Sequence, residues 1–152
     1  MHLVQRPSRT TQWITAVAMG TLMSCAFAAD DKTAAAQPEL PAPNPAAEQA
    51  LQKHFQSIFA AFEGKSAMPA ASNFTDDFTK QVTMDQMKQV FDQVKKSVGN
   101  CRIAGQIPSP ISYVGSYLLQ CDKAFVPMDI AVEEKAPYRV HSLLIRPGYA
   151  KL

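Results

Sequence analysis

The sequence predicts an α+β domain in which N-terminal helices pack on one curved antiparallel sheet of about four strands. Three observations lead there. Apolar residues recur with a helical period from Leu51 to Val98. After Gly99 the period switches to two. Helices first and strands second is the order of an α+β layout, in contrast to the alternation of a parallel α/β sheet. At 152 residues, 47% apolar and 18% charged, the chain has room for one folded domain of globular composition.

Residues 1–28 read as an export signal. Arg6 and Arg9 form a basic leader, Ile14 to Met23 an apolar stretch too short to span a bilayer, and Ala26-Phe27-Ala28 a small-x-small site that places cleavage between Ala28 and Ala29. Leu22-Met23-Ser24-Cys25 offers a second processing route, acylation of Cys25 as in a lipoprotein. Either route leaves no membrane span after processing and a periplasmic or secreted domain. Two of the 15 basic residues and none of the 13 acidic ones lie in the leader, so the remainder is formally neutral. A nucleic-acid partner, which needs a basic stripe, is not expected.

Residues 29–44 read as a disordered linker, with Ala34-Ala35-Ala36 and prolines at 38, 41 and 43. The single domain, residues 45–152, begins where Asn44 can cap a helix and Pro45 can occupy its first turn. Leu51, Phe55, Ile58, Phe59 and Phe62 form its core stripe, with His54 at the boundary and Gly64 at its end. Phe74 and Phe78, one turn apart, predict a short second helix from Asn73 to about Val82. Thr83 and Gln86 spell a capping box, followed by a third stripe of Met87, Val90, Phe91, Val94 and Val98 that closes at Gly99.

Cys101-Arg102-Ile103 starts the first strand, and Pro108 and Pro110 interrupt the pattern. Ile111, Tyr113, Tyr117, Leu119 and Cys121 then alternate along a longer strand, with Gly115 as a bend or bulge. Val126, Met128, Ile130 and Val132 share one face of a third strand. Val140, Leu143 and Ile145, spaced three then two, require a bulge near Ser142 in the last. After processing at Ala28 only Cys101 and Cys121 remain, and an even pair in an oxidising compartment predicts a disulfide.

The step Phe74-Thr75-Asp76-Asp77-Phe78, the helix end Val98-Gly99-Asn100-Cys101, the strand Leu119-Gln120-Cys121-Asp122 and the run from Pro137 to Ile145 together resemble a bacterial exported domain of unknown function. That domain occurs alone after a signal peptide, or in front of serine β-lactamase-like and α/β-hydrolase domains. The resemblance spans Pro45 to about Pro147 and implies the cystatin-like cone of the nuclear transport factor two and ketosteroid isomerase superfamily, in an extracytoplasmic setting. It hands down no catalytic residues, and this chain lacks the hydrolase half.

The expected function is that of a non-catalytic binding or accessory module in the bacterial envelope. Its sheet face, or the mouth of its helix–sheet cone, would bind a small apolar ligand, a peptide or an envelope protein, with Tyr113, Tyr117 and Met128 as candidate lining. The alternative role, purely structural contact with another protein, uses the same surfaces. An isomerase or dehydratase reading needs a carboxylate base in an apolar pocket and a phenol beside it, for which Asp129 with Tyr113 or Tyr117 is the candidate set. Strand alternation places Asp129 on the face away from Met128 and Ile130. No phosphate loop, nucleophile elbow or metal-ligand spacing occurs, so neither a cofactor nor a metal is called for.

Overall fold

The computed structural model describes residues 40–151, so Cys25, Ala28, Ala29 and most of the linker lie outside it. Leu40 to Pro43 are exposed and without regular structure. Helix α1 (Pro45–Phe62) starts at Asn44, whose side chain accepts the Ala47 N–H, with Pro45 in the first turn. Its Leu51, Phe55, Ile58 and Phe62 are buried, as the stripe predicts. No helix among the described residues is long and apolar enough to cross a membrane.

The second predicted helix is shorter than expected. Ala71–Asn73 make one 3-10 turn, Phe74 is extended, and Thr75 caps α2 (Asp76–Gln81) by accepting the Phe78 N–H. Phe74 is drawn out of the helix because it is buried and bridges in parallel to Val140, where the Thr75 N–H bonds the Val140 carbonyl. Its ring still stacks on Phe78, centroids 5.0 Å apart. Helix α3 (Met84–Val98) has the predicted capping box: Thr83 Oγ1 accepts the Gln86 N–H and Gln86 Oε1 accepts the Thr83 N–H. Val90, part of the predicted stripe, is instead exposed, while Met87 and Phe91 are buried. The helix stops at Gly99, φ +83°, where a Cβ would stand 2.5 Å from an Asp122 carboxylate oxygen.

Strands β1 (Cys101–Ile107), β2 (Val114–Cys121), β3 (Ala124–Val132), β4 (Val140–Ile145) and β5 (Tyr149–Ala150) form one antiparallel sheet. The order is β1-β2-β3-β4, with β5 also on β3. β1 starts at Cys101 as expected and runs to Ile107, just before Pro108, with a bulge at Ala104. The predicted bulge of β4 falls at His141, next to Ser142, where Ala131 pairs with Ser142 and Val132 with Val140. β5 was not anticipated. Pro127 explains the break before it: the Arg146 N–H bonds the Pro127 carbonyl, but Pro127 has no N–H to return, so the β3–β4 ladder ends there.

Cys101 and Cys121 are direct partners in the β1–β2 register and are joined by the expected disulfide. The three helices lie on one face of the curved sheet. Between the layers sit Phe55, Phe62 and Phe91 from the helices and Tyr117, Leu119, Val126, Met128 and Ile130 from the strands. Phe62 and Phe91 meet edge to face at 5.5 Å. The β3–β4 hairpin is tied to α2 by Arg139, which pairs with Glu133 at 3.1 Å and Asp76 at 3.2 Å.

Candidate functional site

Of the three residues expected to line a pocket, the structure brings two together and sets one apart. Tyr117 and Met128 face each other across β2 and β3, 4% and 0% exposed, under α1. The Tyr117 ring lies flat on that of Phe55. Both are core residues. Tyr113 is outside the strand: Val114 donates its N–H to the Ile111 carbonyl, so residues 111–113 are a turn and the period-two spacing does not extend to Tyr113. The Glu134 carboxylate beside Tyr113 raises its phenol above the usual value.

The carboxylate and phenol of the alternative reading are also kept apart. Asp129 pairs with Ser116 on the face of the sheet away from the helices and accepts a hydrogen bond from Arg146 Nε at 2.6 Å. Tyr117 is on the opposite face.

A concave site does exist one step from the expected one. Where the start of α1 meets the β1–β2 connection, Glu48 and Leu51 of the helix, Gln106 of β1, and Ser109, Ile111 and Ser112 of the loop surround a cleft of about 320 Å³. Asn44 fixes this end of the layer. Its backbone N–H donates to Ser112 Oγ at 2.9 Å and its side-chain amide to the Glu134 carbonyl at 3.0 Å, so the residue that caps α1 also holds both neighbouring loops.

Behind the cleft wall lies an anomaly. The Tyr117 hydroxyl is fully buried and has no hydrogen-bond partner, and among the described residues no other buried side-chain oxygen or nitrogen is in that position. It sits 3.5 Å from where a Cβ on Gly115 would be, a spot shared with Leu51 Cδ2. Burial first, and then the Glu48 carboxylate, push the phenol above its usual value. Leu51 and Glu48 both line the cleft, so the orphaned hydroxyl stands directly behind it.

Gly115, beside this site, reads in the sequence as a bend or bulge. In the structure β2 is regular at Gly115, paired with Ile130. The missing side chain is what lets Leu51 and the Tyr117 ring close over the strand. Glu48 and Gln106 carried no sequence signal, being single polar residues on an otherwise solvated helix turn and strand. No family model, no curated protein and no solved structure matches the chain.

Proposed function

We propose that the processed chain is an exported, non-catalytic binding module, periplasmic or secreted, that holds a small apolar molecule in the cleft between α1 and the β1–β2 connection, with the Tyr117 hydroxyl as its polar anchor. The unpaired hydroxyl carries this reading. A buried polar group without a partner costs about 1–3 kcal/mol, and such groups in native proteins call for a reason. A ligand that moves Leu51 aside would supply the missing hydrogen bond and rest its apolar body on Leu51 and Ile111. The cleft volume is at the lower end of small-molecule sites, which sets the size of the guest. The Ala26-Phe27-Ala28 leader, the Cys101–Cys121 disulfide and the resemblance to exported domains support the compartment.

Native mass spectrometry of protein purified without denaturation tests the reading, with Gln106→Trp as the blocking variant. Gln106 is exposed, lines the cleft and stands beside its cross-strand partner Tyr117, so a Trp there fills the site from its open side. The expected result is a bound small molecule on the wild type that Gln106→Trp lacks at an unchanged melting temperature. A wild type that carries nothing, or an adduct that survives the substitution, would contradict it.

A further inference from the structure

At the end of the sheet where β1 begins, four residues stand in one cross-strand row: Arg102 of β1, Gln120 of β2, Phe125 of β3 and Tyr149 of β5. Their chain neighbours Cys101, Cys121 and Val126 are buried in the core, so strand alternation turns the row away from the helices. Beside it Asn100, Arg102, Gln120, Asp122 and Lys151 wall a cleft of about 250 Å³. Two cations share this cleft, and among the described residues no carboxylate pairs with either. Arg102 donates to the Gln120 amide oxygen, which carries no charge to offset its own. Lys151 Nζ rests over the Phe125 ring, 5.5 Å from the centroid. The Asp122 carboxylate is turned to the backbone, its Oδ2 accepting the Asn100 N–H at 2.8 Å.

We infer that this cleft binds a hydroxylated carboxylate of the sugar-acid class. Arg102 has N–H groups to spare after its bond to Gln120, and a guanidinium takes a carboxylate through two parallel bonds. Lys151 brings a second positive charge from the segment after β5. Two cations less the one carboxylate of Asp122 leave the cleft formally positive by a single charge, which matches a monoanion. A bare phosphate, with more negative charge in less space, would meet Asp122 in the same cleft and lose part of what the cations provide. Hydroxyl groups fit there better. Asp122 Oδ1 accepts no bond among the described residues, and the Gln120 amide nitrogen is a donor. Phe125 and the 68%-exposed Tyr149 flank these polar groups with ring faces, on which the C–H face of a sugar can lie. The volume falls below that of drug-sized sites and suits a single ring with its carboxylate. Gln106 is at the other end of β1, so this inference stands independently of the site under α1.

An NMR titration of the disulfide-bonded protein with glucuronate at pH 7, read at the Asn100 and Gln120 amides, tests this. Saturable shifts are expected, with a Kd of about 1–10 mM. Glucose, which lacks the charge, and inorganic phosphate, which lacks the hydroxylated ring, should each bind at least about tenfold more weakly. Arg102→Gln is expected to weaken glucuronate at least about tenfold and Lys151→Gln at least about threefold. Both positions are exposed, so the melting temperatures should not change. A wild type without saturable shifts up to about 50 mM glucuronate overturns the inference. So does glucose or phosphate binding as tightly as glucuronate, or wild-type affinity in both variants.

Discussion

Leu51 and Gly115 meet so closely that a single added methyl group would not fit: a Cβ on Gly115 would lie 2.7 Å from Leu51 Cδ2 and 3.0 Å from the Tyr117 ring. Helix α1 therefore rests on bare β2 backbone at this point. Gly115→Ala is expected to cost about 1–3 kcal/mol in urea denaturation. In a Leu51→Ala background the same change should cost less, because the atom it strikes is gone, and a double-mutant cycle reads the difference.

The disulfide closes a loop of 20 positions. On the chain-entropy account that is worth about 3 kcal/mol, and the paired replacement of Cys101 and Cys121 by Ala is expected to cost about 2–5 kcal/mol. Thiol titration of protein unfolded without reductant should find no free thiol at these two positions.

His54 and Glu133 both shape the acid limb of stability. His54 is half-buried, and burial, then Lys53, lower its pKa against an opposing bond to the Tyr138 backbone. The folded state thus binds this proton less readily than the unfolded state, so stability falls as pH drops below about 6.5, until His54 protonates in the folded protein as well. The Arg139 guanidinium holds the Glu133 carboxyl below its ordinary 4.5, so that contribution is present above the ordinary value and lost as pH falls through the lower, folded one. Denaturant stability measured against pH should fall in two stages. His54→Gln should remove the upper stage and Arg139→Gln should shrink the lower, to which Asp92, held down by its hydrogen bond from Lys88, also contributes.

The burial of Met128 beneath α1 predicts that Met128→Ala costs about 2–5 kcal/mol and Tyr117→Ala about 3–5 kcal/mol. Tyr113→Ala, at a half-buried turn, should stay within about 1 kcal/mol of wild type. Thermal melts of the three variants separate core from turn.

What could be read from the sequence was mainly what local chemistry decides. Asn44 with Pro45, Thr83 with Gln86 and the apolar stripes of α1 and, Val90 apart, of α3 act within a turn or two, and the folded chain agrees with them. The misses have long-range causes. Phe74 leaves its helix for a bridge to Val140, and β5 depends on pairing with Ala124 and Phe125. Tyr113 keeps the spacing of a strand residue, but the strand starts one residue later, beyond the turn closed by Ile111 and Val114. The cleft was illegible for the same reason. Its walls come from the start of α1 and, much later in the chain, from the end of β1 and the loop that follows it, and its marker is a hydroxyl whose lack of a partner appears only once the layers are packed.

That hydroxyl permits the most direct test of the binding reading, the equilibrium stability of Tyr117→Phe in ligand-free protein. The substitution keeps the ring on Phe55 and deletes only the orphaned oxygen. If the hydroxyl is held in reserve for a guest, Tyr117→Phe should be more stable than the wild type by about 1 kcal/mol or more, because an unsatisfied buried group has been removed. It should also lose the small molecule that the wild type carries. A Tyr117→Phe protein less stable than the wild type would mean that the oxygen already has a partner in the folded chain, and the cleft would lose its anchor.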